Sequence, residues 1–393
     1  MAASPRTQLT SLQAGRAIAA VFVVIFHLNA FYLPERLYDG ETLSVAAGMG
    51  YAGVEYFFAL SGFLMVYAHA KDFGQPSRLM NFVRRRVTRI YPVYWLILLV
   101  LVAAYLAVPS LAPESGLAVL RVLANLSLMP LHEPAILEVA WTLQYEMVFY
   151  VLFATLILSP RIGAVVLSLW FSGCVLALTV LKAEFPIGFL FAPYNFIFFA
   201  GMAGAWLYRK LRPSASVLLM IAGAATFFGA GLSDAYGAWA FGTGWRTVAL
   251  GAGAALLIAG LAGLEHRGHF RAPRFLTGIG DASYSLYLLH NPMLALASKV
   301  VVAVGLNLVI GPWAMAALLT AGCIVASIVF YRLVESPLVT ALQGKRLPAG
   351  AMPAATPPAL PHVLLRGTLS GDSRPLVRPT RSFLRRKKRQ AGP

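Results

Sequence analysis

Runs of about 20 consecutive apolar residues recur in this sequence from Leu12 to Phe330, each long enough to cross a bilayer core as a helix. That recurrence decides most of what the chain can fold into. We read ten spans, at 12–33, 47–69, 91–109, 140–158, 163–181, 190–208, 215–232, 246–264, 284–304 and 312–333. Lipid offers no partner for a bare N–H or C=O, so each run must satisfy its own backbone as a helix. The alternating strands of roughly 10 residues that mark a membrane barrel are absent from the sequence. A composition of 59% hydrophobic and 12% charged residues excludes an ordinary soluble domain. No small-x-small site follows the first run, which carries His27, so it is expected to stay in the membrane rather than be cleaved as a signal peptide. The expected fold is all-α, a polytopic transmembrane helix bundle of about ten spans.

Charge placement sets the expected orientation. A formal net charge of +17 invites a nucleic-acid reading, but its distribution argues for a membrane protein with no nucleic-acid partner. With both termini cytoplasmic, 27 of the 32 Lys and Arg fall inside, leaving Arg36, Arg121, Lys182, Arg246 and Lys299 outside. That is the positive-inside bias. Cys174 and Cys323 lie in apolar runs, where packing is the expectation, and no metal-ligand pattern appears. Past about Gln343 the composition shifts to LPAGAMPAATPPALP and closes on SFLRRKKRQ. We therefore expect a membrane domain over 1–342 and a disordered, basic, Pro-rich cytoplasmic tail over 343–393, its basic end lying on anionic membrane lipid.

Ionisable residues inside such spans are costly and mark function by default. Arg16 and His27 share the first run with ten residues between them. Eleven steps of 100° return nearly to the starting angle, so both occupy one helix face about 16 Å apart along the axis. Counting along the spans sets His27, Glu55 and Glu146 at a common level, about 9–10 Å below the outer surface. A carboxylate accepting from one ring nitrogen of His27 would fix its tautomer and raise its basicity. The same trio also suits a proton-coupled transport path, and from these residues alone enzyme and transporter stand level.

A basic cluster forms the second half of the pattern. Arg86 and Arg89 are three apart, and Arg85 and Arg89 four apart, so they can converge on one helix face where guanidinium forks suit phosphate. Arg16 is expected at the same inner level. His290 counts to about two turns from the inner face, well below His27, either lining the same passage or packed against Ser283 or Ser285. His69, His132, His266, His269 and His362 lie in or beside loops and carry no signal. The long outer loop over 109–139 is expected to touch whatever substrate arrives from outside.

The residues quoted so far resemble the acyltransferase-3 family of integral-membrane O-acyltransferases. The resemblance rests on Arg16-x10-His27, GVEYFFALSGF (53–63), RRRVTRIYPVYW (84–95), WTLQYEMVFY (141–150), SYSLYLLH (283–290) and VESP (334–337), in family order across about residues 10–337. It implies a multi-pass enzyme of the bacterial inner membrane. That enzyme moves an acyl group, most often acetyl, from cytoplasmic acyl-CoA to a sugar hydroxyl of exopolysaccharide, lipopolysaccharide or a nodulation factor. His27 would correspond to the family's essential His and Arg16 to its basic partner. Arg86 and Arg89 would match its paired arginines for CoA, with Arg85 beside them. Glu55 and Glu146 would match its acidic positions, one or the other of them supporting His27. His290 and Ser283 remain pathway candidates. Acetyl-CoA would be a donor substrate, with no permanently bound cofactor and no metal. The other partners implied are a glycan or lipid-linked saccharide acceptor and proteins of polysaccharide biosynthesis or export. A transporter or flippase for lipid-linked sugars is the competing expectation.

Overall fold

The computed structural model describes residues 9–109, 112, 116–181 and 183–344. Apart from 343 and 344, the expected tail lies outside the described residues. Those described form helices and turns, with no strand among them. Ten helices are long and apolar enough to cross a membrane. They are α1 (Thr10–Leu37), α2 (Ala46–Asp72), α3 (Pro76–Ala107), α4 (Glu138–Leu158), α5 (Pro160–Thr179), α6 (Ile187–Leu207), α7 (Pro213–Ala235), α8 (Thr243–His266), α9 (Ser283–Ala303) and α10 (Pro312–Leu342). The all-helical, multi-pass fold read from the sequence is the one found. We call the side on which α1 begins the near face and the opposite side the far face.

Most span boundaries fall within a few residues of those expected; the exceptions are the tenth, which runs on to Leu342, and the third. Its helix runs unbroken from Leu79 to Ala107, so Arg84 to Arg89 belong to α3 rather than to the loop before it. Hydropathy stops where the arginines begin, but Arg is a good helix former and the backbone continues through them. Pro92 sits inside this helix. It denies the Thr88 carbonyl its usual N–H partner.

Helices approach closely where small residues allow it. A Cβ on Gly201 of α6 would overlap the carbonyl of Ala59 on α2, and one on Gly62 of α2 would overlap the carbonyl of Phe198 on α6. The two glycines therefore interlock α2 and α6 backbone to backbone, the small-residue packing that membrane helices favour. α2 and α8 are the most buried of the ten, whereas α3, α5 and α7 leave apolar side chains such as Val100, Leu169 and Leu218 exposed to lipid.

α1 is anchored at its start by another helix. Glu265, near the end of α8, accepts from Thr10 N at 2.7 Å, Thr10 Oγ1 at 2.6 Å and Ser11 N at 2.7 Å. Those N–H groups belong to a first turn that has no intrahelical acceptor, and the carboxylate also suits the positive end of the helix dipole. From Leu28 to Leu37 the helix widens into π geometry, beginning directly after His27.

Residues 116–137, between α3 and α4, are folded rather than loose. A short helix, Val119–Ser127, ends against the middle of α3. Its last carbonyls are taken by three aromatic donors. Tyr94 Oη bonds the Asn125 carbonyl at 2.7 Å, Trp95 Nε1 that of Leu126 at 2.7 Å, and Tyr91 Oη that of Ser127 at 2.9 Å. Away from water, unmet C-terminal carbonyls are expensive, which gives the IYPVYW sequence a structural task. Buried Arg121 braces the return through Pro134 O at 2.9 Å and Glu133 at 3.3 Å.

Candidate active site

A cavity of about 230 Å³ lies within the bundle toward the near face. Arg16 of α1, Arg86 and Arg89 of α3, Ser61 of α2, Glu146 and Tyr150 of α4 and Ser283 of α9 contribute to its wall. Three guanidiniums and one carboxylate thus line the wall, with Asp281 and Glu335 within electrostatic reach of Arg16 and Arg89. Glu146 accepts hydrogen bonds from the Ser61 and Tyr150 hydroxyls. Arg16 Nε donates to Ser283 Oγ at 3.0 Å. Arg86 lies over the Tyr150 ring at 5.5 Å from its centroid, and its buried Nε has no hydrogen-bond partner. An orphaned, buried guanidinium N–H is a site awaiting an acceptor. Just beyond the near end of the spans, burial pushes the Asp281 carboxyl up, while Arg16 and Arg89 pull it down.

Toward the far face, two imidazoles meet. The His27 and His290 rings stand 4.8 Å apart between centroids, and His290 Nε2 is 3.4 Å from His27 Nδ1. Their tautomers follow from their neighbours. His27 Nδ1 faces the Val23 carbonyl at 2.8 Å, and His290 Nδ1 faces the Tyr287 carbonyl at 2.7 Å. A carbonyl only accepts, so each Nδ1 carries the hydrogen. His290 Nε2 is therefore an acceptor turned toward His27. His27 Nε2 keeps its lone pair, and no hydrogen bond engages it among the described residues. Phe26 and Phe31 flank this half-buried ring, at 5.3 and 5.9 Å between centroids.

Tyr287 stands between the two regions. It lines the cavity, its ring lies 6.0 Å from that of His290, and Phe57 packs against it at 5.8 Å. Its hydroxyl is held by Thr142 Oγ1 at 2.9 Å and the Val139 carbonyl at 3.2 Å. The α1 face carrying Arg16 and His27 spans the gap, about 16 Å of helix rise from cavity to imidazole.

Several residues fall where counting along the spans did not put them. His290 was expected well below His27 but touches it. The Arg16–Ser283 bond accounts for part of this, because α9 starts already level with Arg16; the remaining rise, about 10 Å to His290 against about 16 Å to His27, is bridged by the two side chains. Nor does His290 bond Ser283 or Ser285; Ser285 donates to Glu335 of α10 instead. Neither Glu146 nor Glu55 bonds His27. Glu146 meets Ser61, six residues further along α2 than Glu55, so the two carboxylates sit about 9 Å apart in depth rather than level. Glu55 is 2% exposed, with one carboxylate oxygen unpartnered. Its electrostatic neighbours are Arg246 and Asp234, a pair bonded at 2.9 Å and joined by the Tyr51 hydroxyl at 2.6 Å. Arg85 is exposed and lines no part of the cavity. His69 was given no part from the sequence, yet it is 2% exposed and bonded to Arg86. Glu138 was also passed over. It is the carboxylate whose charge bears on His27, and Asn291 donates to it at 2.9 Å while accepting from the Tyr32 hydroxyl at 2.6 Å.

Comparison with known proteins places this geometry in a family. The acyltransferase-3 profile, described as an acyltransferase domain, matches residues 9–332. The exopolysaccharide production protein ExoZ of Rhizobium meliloti (strain 1021) is 32% identical over 312 residues, covering 77% of this chain and 93% of ExoZ. Protein 2 in the picA locus of Rhizobium radiobacter is 31% identical over 106 residues, 27% of this chain and 49% of that protein. No solved structure matches. The family match spans both the arginine-lined cavity and the imidazole pair, and the chain belongs to the acyltransferase-3 family as a multi-pass membrane acyltransferase.

Proposed function

We propose that this protein transfers an acyl group, acetyl in the first instance, from acyl-CoA to a sugar hydroxyl of an exopolysaccharide or related surface glycan. The protein would sit in a bacterial inner membrane with both termini and the near face cytoplasmic, as the positive-inside bias favours. The observation that carries the reading is three guanidiniums lining one cavity, with the Arg86 Nε buried and without an acceptor, below a histidine that keeps a free ring nitrogen. Guanidinium forks suit phosphate, and CoA brings phosphates to one end of a long arm. In this reading Arg16, Arg86 and Arg89 bind the phosphates, and Glu146 balances and orients the guanidiniums. The thioester reaches past Tyr287 toward His27.

His27 then acts as general base. The acceptor hydroxyl donates to Nε2, its oxygen attacks the thioester carbonyl, and Nε2 takes the proton. The carbon–sulfur bond breaks, an ester forms, and the same proton passes to the departing CoA sulfur. The Val23 carbonyl holds the tautomer this needs, and His290 supports it. Glu138, Asn291 and Tyr32, bonded to one another, would receive the sugar.

The test is transfer in liposomes holding the purified protein, with labelled acetyl-CoA on the near-face side and polysaccharide on the other. Ester-linked label in the polysaccharide supports the proposal. Sugar crossing the membrane with no need of a thioester would replace it with the transporter reading.

A further inference from the structure

Beside the cavity, three side chains join into a chain that the transfer chemistry does not itself require. Asp72, in the last turn of α2, faces His69 Nδ1 at 2.8 Å. His69 Nε2 faces Arg86 Nη2 at 3.0 Å. A carboxylate accepts and a guanidinium only donates, so the ring must carry its proton on Nδ1 and offer a lone pair at Nε2. Each atom then has the partner its chemistry demands. The imidazole is 2% exposed and packs edge-on against Phe82, 5.0 Å between ring centroids. Arg86 itself lies beside the Phe82 and Tyr150 rings, at 5.8 and 5.5 Å from their centroids, which are 6.3 Å from each other. One edge of the guanidinium is thus fixed by His69, and two neighbouring rings pack against one side of it. Its Nε remains buried and without an acceptor.

We propose that His69, held in turn by Asp72, is a positioning residue for donor binding. It pins the outer nitrogen of Arg86 so that the rest of the fork faces the cavity and meets a phosphate of the donor. This rests on the reading above that the cavity takes acyl-CoA. An unpinned arginine has several rotamers to give up on binding, whereas a pinned one is preorganised for the anion.

Binding of CoA alone to the purified protein tests this, read beside initial rates against acetyl-CoA concentration. His69→Ala and Asp72→Ala should each raise the CoA Kd and the donor KM, by about tenfold for His69→Ala, with kcat changed less than about threefold. His69→Gln should recover most of the loss, because its amide oxygen can accept from Arg86 while its NH2 donates to Asp72. This variant and Asp72→Ala carry the test should His69→Ala fold poorly. In an Arg86→Ala background, His69→Ala should add nothing, since its whole effect runs through Arg86. Wild-type affinity for CoA in all the His69 and Asp72 variants would overturn the positioning and leave the donor site standing. An equal loss from His69→Ala with and without Arg86 would also overturn it. A wild-type protein that fails to bind CoA would overturn the donor reading and this proposal with it.

Discussion

Replacing Glu265 should loosen the helix that carries both Arg16 and His27. In Glu265→Ala the N–H groups of Thr10 and Ser11 and the Thr10 hydroxyl lose a shared acceptor, at 2.7, 2.7 and 2.6 Å. The hydroxyl can turn elsewhere and still receives the Ala272 N–H at 3.0 Å. The two backbone groups cannot move without unwinding the first turn. Each donor left unmet costs about 1–3 kcal/mol, so the pair should cost about 2–6 kcal/mol. At about 2 °C per kcal/mol for a long chain, the unfolding midpoint in detergent should fall by roughly 4–12 °C. Glu265→Gln should lie between, since its amide oxygen can serve Thr10 while its NH2 cannot accept from Ser11. Size-exclusion recovery after heating, followed by fluorescence, gives both midpoints on one scale. A Glu265→Ala protein as heat-stable as wild type would refute the claim that this carboxylate caps α1.

Other expectations follow from the same contacts. Gly201→Leu puts a side chain through the Ala59 carbonyl and should prevent recovery of folded protein, whereas Gly311→Ala, with open space around it, should be tolerated; yield from membranes decides. Tyr94→Phe removes one of two donors to the Asn125 carbonyl, which keeps the Leu128 N–H at 3.0 Å, and should cost about 1 kcal/mol, seen as a small drop in the same midpoint. Tyr287→Ala should widen the way past the cavity and raise the rate with butyryl-CoA relative to acetyl-CoA; an unchanged ratio would remove Tyr287 from the path. Because the base needs the lone pair of a neutral imidazole, kcat/KM should climb with pH as His27 loses its proton and level off once it is neutral. A rate that falls over the same rise in pH would argue against His27 as base.

The sequence disclosed some of this and hid the rest for identifiable reasons. Hydropathy alone gives ten spans because backbone in lipid must be helical, and an eleven-residue step fixes Arg16 and His27 on one face whatever surrounds them. Counting from span ends failed for His290, Glu55 and Glu146. It assumes that helices start level and stand upright, whereas α9 begins beside Arg16 and Glu146 pairs with Ser61 rather than with the level of Glu55. His69 looked like a loop residue because hydropathy fades before the α2 helix ends. Its link to Arg86 joins two spans across a turn, which no periodicity reports. Tyr91, Tyr94 and Trp95 were visible as part of a motif, but what they serve is a carbonyl row on a helix more than 30 positions away. Glu138 was hidden by its place in a segment read as loop.

The central claim is that His27 takes the proton from the acceptor while the arginine-lined cavity holds the donor. Comparing wild type, His27→Ala and Arg86→Ala for label transfer from acetyl-CoA to polysaccharide, with CoA binding measured on each, tests it most directly. The account predicts that His27→Ala binds CoA as wild type does yet loses at least about 100-fold in transfer at saturating donor. Arg86→Ala should bind CoA weakly and recover much of its rate when the donor is raised. Undiminished transfer by a folded His27→Ala protein would contradict the account.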